Sequence, residues 1–98
     1  MRERRRPPTR EDAETMAIQA VGFLAADEDL FLRFVNLTGL SIEEVKGRMN
    51  DAALLGAVLD FILADERLLL AFAEAMDLPP EAPLVARRTL PGAPVDSW

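Results

Sequence analysis

Apolar residues recur along the chain at intervals of three and four, interrupted by short acidic breaks, and this spacing predicts a series of helices. Thr9, followed three positions later by Asp12, makes a variant of the capping-box spacing, with acids in the first turn where they meet the positive end of a helix. Ala13, Met16, Ala17, Ala20, Val21 and Leu24 then place a first helix over 10–25. Asp27 is suited to cap a second helix whose stripe is Leu30, Phe31, Phe34, Val35 and Leu37, and Gly39 supplies the left-handed residue that commonly ends one. Ser41 and Glu44 form a capping-box pair opening a short third helix that contains Ile42, Val45 and Met49. Asn50 or Asp51 starts a fourth, with Leu54, Leu55, Val58, Leu59, Phe61, Ile62 and Leu63. Asp65 caps a fifth, with Leu68, Leu69, Phe72, Ala73 and Met76, which Asp77, Pro79 and Pro80 bring to an end. A last short helix with Leu84 and Val85 stops before Pro91 and Gly92, and no segment reads as a strand.

The second half of this list repeats the first. Ala20–Glu43 set against Val58–Glu81, an offset of 38 residues, coincide at nine of 24 positions, among them Phe23 with Phe61, Asp27 with Asp65, Leu32 with Leu70 and Phe34 with Phe72. Units of this length bury their apolar faces against a neighbouring copy, and two copies are too few for a solenoid. The expected architecture is an all-α, compact bundle of five to six helices built from two internal repeats of about 38 residues, with pseudo-twofold symmetry. A chain of 98 residues holds one such core at most. Its organisation is expected to be a disordered basic arm over 1–9, a helical domain over 10–90 and a flexible Pro-rich tail over 91–98 that ends in Trp98.

The pattern carries more apolar surface than one stripe per helix needs. Leu68, Leu69 and Leu70 in succession sweep roughly 200° of helix, and Leu54 to Leu63 is apolar around almost its whole circumference. One reading makes the fourth helix the central helix of the bundle, surrounded on all sides. The other leaves a groove or patch that accepts a partner helix or a second copy of the chain, with Phe31, Leu32 and Leu70 as its candidate residues.

Charge alters the picture at the start of the chain. Residues 1–10 hold five arginines against Glu3, a charge of +4, whereas residues 11–86 hold fifteen acids against Arg33, Lys46, Arg48 and Arg67, a charge of −11. Arg2, Arg4, Arg5 and Arg6 are therefore candidate contacts for phosphate groups or an acidic partner, because guanidinium forks pair with phosphate oxygens. A sequence-specific reader of nucleic acid needs more, since the body is acidic and the arm interleaves no aromatic residue for base stacking. The arginines run into Pro7 and Pro8 and then Arg10, Glu11 and Asp12, where a secretory signal needs an uninterrupted apolar stretch. No apolar region is long enough to span a bilayer, and the expected location is the cytoplasm.

Cysteine, histidine and tyrosine are absent, which removes thiol and imidazole chemistry, disulfides and the usual zinc sites. Asp27, Glu28 and Asp29, echoed by Asp65 and Glu66, are better read as N-caps and first-turn acids than as a cation site, because adjacent side chains on a helix diverge by about 100°. Asp60 interrupts an otherwise apolar helix. Its equivalent in the first repeat is Gly22, so it is expected to face outward or toward a solvated groove rather than to act in catalysis. No phosphate loop, nucleotide fingerprint or serine elbow occurs. No catalytic residue, metal or cofactor is assigned, and no enzymatic activity is expected.

The runs AIQAVGFLAADEDLFLRFVNLTGL and VLDFILADERLLLAFAEAMDLPPE resemble a family of small bacterial proteins, found mainly in alphaproteobacteria and classed as domain-of-unknown-function family 3572. The likeness covers residues 14–90 and leaves out both tails, and GFLAAD and LDFILADE are its most telling parts. It implies a small helical protein and carries no catalytic residue across. The function expected from the whole reading is a non-enzymatic interaction or adaptor module that meets a protein partner, or a second copy of itself, through an apolar surface. The alternative is a nucleic-acid-associated protein that uses the arginine arm.

Overall fold

The computed structural model describes residues 9–92. Six helices follow one another and the described residues contain no strand: α1 Arg10–Ala25, α2 Glu28–Thr38, α3 Ile42–Gly47, α4 Ala52–Leu63, α5 Glu66–Ala75 and α6 Ala82–Thr89. The arginine arm and the tail beyond Gly92 lie outside the described residues.

Local capping chemistry sets most of the boundaries. Thr9 Oγ1 accepts from the Asp12 amide at 3.0 Å while the Asp12 carboxylate accepts from the Thr9 amide at 3.0 Å, a reciprocal box that satisfies two orphan donors. Ser41 and Glu44 repeat the arrangement at 3.0 and 2.9 Å. The hydrogen bond from the Ser41 backbone N–H holds the Glu44 carboxyl below its ordinary pKa; desolvation opposes it, and the Ser41 hydroxyl and the nearby Arg48 guanidinium add smaller lowering effects. Asp27 caps α2 through the amides of Asp29 and Leu30, and Asp65 caps α5 through those of Arg67 and Leu68. The two corners share one shape: Ala26 and Ala64 are helical (φ −74, ψ −13 and φ −75, ψ −11), and Asp27 and Asp65 are extended.

α4 lies at the centre and packs against α1, α2, α5 and α6. Leu54, Leu55, Gly56, Val58, Leu59, Phe61 and Ile62 are all buried, so the apolar circumference of this helix is spent on its neighbours. α1 lays a narrow stripe of Ala13, Ala17, Ala20, Val21 and Leu24 into the core; the small side chains let a packed helix approach closely. Two T-shaped aromatic pairs brace the interior, Phe23 with Phe72 and Phe34 with Phe61, both with ring centroids 5.4 Å apart. Each pair joins one half of the chain to the other, and the 38-residue offset carries the residues of one pair onto those of the other. The third helices of the two halves pack differently: α6 packs on α1, α4 and α5, whereas α3 contributes a single buried side chain, Val45.

Several large apolar residues of the predicted helices lie outside the core. Leu37, placed on the stripe of α2, is 74% exposed, and Ile42, Leu84 and Val85 are also exposed. α6 instead turns Pro83, Ala86 and Arg87 inward, with Leu90 just beyond it. A helix of two turns whose apolar residues are consecutive, as over 82–86, has no periodicity from which its buried face follows, and the neighbour it docks on decides.

Gly39 and Asp77 occupy equivalent places after α2 and α5, and both are left-handed, at φ 77 and φ 58. At Asp77 the Leu78 amide reaches Ala73 O at 2.8 Å and the Asp77 amide reaches Glu74 O at 3.2 Å, a Schellman arrangement. A side chain is strained at such φ values, so Asp77→Gly is expected to raise stability by a few tenths to about 1 kcal/mol in urea unfolding. No change, or a loss, would mean that the Asp77 side chain makes up for its backbone. The α3 cap generates a pH prediction of opposite temper. Because the Glu44 pKa is lowered on folding, its stabilisation is complete above the ordinary glutamate range and is lost as pH falls through the lowered value. An NMR titration of the Glu44 carboxyl should show a midpoint below that of an unstructured glutamate, and Ser41→Ala should return it upward.

Candidate functional site

Leu32 on α2 and Leu70 on α5, both nominated as partner contacts, are 44% and 47% exposed. Phe31, nominated with them, is half-buried and packs against the core. It borders the inward face of α2 formed with Leu30, Phe34 and Val35 and keeps part of its ring at the surface. Arg2, Arg4, Arg5 and Arg6 lie outside the described residues.

A concave apolar feature borders α2, and neither Leu32 nor Leu70 lines it. It lies between α2 and α4, is about 420 Å³ in volume, and is lined by Arg33, Asn36, Leu37 and Phe61. Positions 33, 36 and 37 are spaced i, i+3 and i+4 and so share one flank of α2. Leu32 is not part of the lining; it lies on the Asn36 side of α2, roughly 140° around the helix from Leu37 at 3.6 residues per turn. Phe61 forms the floor, its ring held against Phe34, and the Arg33 guanidinium lies over that ring with Cζ 5.8 Å from the centroid.

A second concave region, about 370 Å³, is lined by Ala52, Ala53, Ala57, Asp60, Arg87, Pro91 and Gly92. Its centre is an ion pair. Arg87 Nε donates to Asp60 Oδ1 at 2.7 Å, its Nη2 donates to Gly92 O at 2.9 Å and its Nη1 to Pro91 O at 3.4 Å. The Arg87 side chain is only 8% exposed while Asp60 is 47% exposed, so the cation bears nearly all the desolvation and the carboxylate keeps water on one side. Gly56, one turn before Asp60 on the same face of α4, makes room for the arrangement: a Cβ there would lie 3.0 Å from Arg87 Cζ and 3.1 Å from both terminal nitrogens. Asp60 thus meets the expectation of a partly solvated position, with a partner the sequence reading had not named.

Among the described residues no group of three or more acidic side chains gathers where a metal ion could be held. Asp27 and Asp65 turn their carboxylates to backbone amides as caps. Arg87 escaped the sequence reading because its partner is 27 residues distant. The available signal was Gly56 with Asp60, a glycine and an acid on one face of an otherwise apolar helix.

This packing sets helix propensity against sterics. Gly→Ala inside a helix is ordinarily worth up to about 1 kcal/mol, but overpacking costs about 1–3 kcal/mol, and Arg87 is held in place by Asp60 and Gly92. Gly56→Ala is therefore expected to destabilise the natural chain by about 1 kcal/mol and to stabilise an Arg87→Met background by about 0.5–1 kcal/mol. Stabilisation by the same amount in both backgrounds, measured by urea unfolding, would remove the guanidinium from this role.

No helix among the described residues is long and apolar enough to cross a membrane. No curated protein and no solved structure matches the chain. A family model described as "Protein of unknown function (DUF3572)" matches residues 10–93, a span that takes in all six helices. The bundle centred on α4, with its α2–α4 groove and its Arg87–Asp60 seam, therefore belongs to the DUF3572 family.

Proposed function

We propose that this protein is a cytoplasmic, non-enzymatic interaction module that binds another protein through apolar side chains left outside its core. The observation that carries the reading is Leu37, 74% exposed beside a groove floored by Phe61. Leu32 and Leu70 add apolar surface at equivalent places on α2 and α5. Leucines scattered singly over a surface are ordinary, whereas one set beside an aromatic floor and a guanidinium has the composition of an interface hot spot. The two 38-residue units of the sequence fit this reading as a scaffold that presents two versions of one outer face.

A second reading, association with nucleic acid through Arg2, Arg4, Arg5 and Arg6, is favoured by the +4 charge of residues 1–10 beside a body of −11. The two differ in salt dependence, because phosphate contacts weaken steeply between 50 and 200 mM salt and apolar contacts hardly change. Affinity capture from a lysate of the native host at 200 mM salt, with and without residues 1–8, separates them. The interaction module predicts a stoichiometric protein partner that survives removal of the arm and is lost in Leu37→Glu or Leu70→Glu, with helical circular dichroism unchanged. Nucleic acid retained only at low salt and only with the arm present would overturn it in favour of the second reading.

A further inference from the structure

The groove between α2 and α4 carries a signature of what it receives. Arg33 lies in a body rich in acids, with Asp29 four residues before it at the spacing that normally forms a helix ion pair. Arg10, Arg48 and Arg87 each have a carboxylate partner among the described residues. Arg33 and Arg67 have none there, and the Arg33 guanidinium lies over the Phe61 ring instead. A guanidinium held over an aromatic ring by cation–π attraction still has N–H donors in a planar fork that matches a carboxylate. Beside it Asn36, exposed on the same flank, adds an amide donor and acceptor, and Leu37 supplies an apolar wall.

Resting on the interaction-module reading, we propose that this groove binds a peptide segment of a partner protein that inserts one large apolar side chain between Leu37 and Phe61 and sets a neighbouring carboxylate on Arg33. The volume of about 420 Å³ is near the lower end for binding pockets, which fits an anchor of one or two side chains rather than the whole face of a long helix. The net charge of −6 repels a generally acidic partner, so the carboxylate has to be local, within a turn of the anchor. A second copy of this chain is the competing occupant. A symmetric contact made around this flank brings Arg33 toward Arg33, which opposes it.

The test uses the full chain as bait for a phage-displayed library of random dodecapeptides, with an Arg33→Glu, Leu37→Glu double variant as counter-bait. The expected consensus is Leu, Ile, Met, Phe or Trp with Asp or Glu within four positions. The corresponding synthetic peptide, followed by fluorescence anisotropy, should bind Arg33→Glu and Leu37→Glu at least tenfold more weakly, and changing its acid to Lys should restore binding to Arg33→Glu above that to the natural chain. Both positions are exposed, so the variants should keep the helical circular dichroism of the parent. Failure to enrich peptides over the counter-bait overturns the proposal, as does a consensus without acids that Arg33→Glu leaves unaffected. A dimer in light scattering that Leu37→Glu dissociates also overturns it and assigns the groove to a second copy. If a partner captured from lysate persists on Arg33→Glu, the module reading survives and this assignment of its site does not.

Discussion

The fold depends on removing one helix from water on every side. α4 is apolar around nearly its whole circumference, and seven of its residues are buried. At about 1.5–3 kcal/mol for each fully buried large side chain, this one segment supplies a major share of the driving force for a domain of this size. An apolar helix of that kind forces the others to surround it. α1 and α6 close on it with alanines, α5 with Leu68 and Phe72, and α2 with Phe34. The crossed aromatic pairs follow from the same demand, since each brings a ring from one half of the chain against a ring from the other.

Surrounding a helix is costly where the helix carries an acid. Asp60 stands on α4 and is answered from α6 by Arg87, and the buried member of the pair is the cation. The guanidinium needs a flat, side-chain-free place to lie, and Gly56 provides it. Propensity alone would put alanine at that position. The residues that look least suited to the central helix therefore serve its junction with α6.

How much of this could be read from the sequence follows from the range of each interaction. Thr9 with Asp12, Asp27, Ser41 with Glu44, and Asp65 act within three residues of where they stand, and each marks the start of a helix as the spacing predicts. The apolar run of the fourth helix admitted two readings, and the structure places that helix at the centre of the bundle. Long-range facts were not accessible in this way. Phe31 packs on the core although it is adjacent to exposed Leu32, and Leu37 falls just outside the arc that α2 buries. α3 and α6 are too short for periodicity to orient them, and their Ile42, Leu84 and Val85 face outward. Of the groove, Leu37 and Phe61 stood in the pattern as core residues, and only the structure brings Arg33 over the ring.

The seam between α4 and α6 also bears on motion. α6 begins at Glu81 without a side-chain cap, and it holds the one charged residue buried among those described. Its departure would let Arg87 regain full hydration and would leave the caps of the other five helices untouched. Subglobal opening is cheapest where the released parts are best solvated. Hydrogen exchange is then divided along the chain: the amides of α6 exchange through a partial opening that leaves the remaining bundle intact, while those of α4 await the opening of the whole molecule.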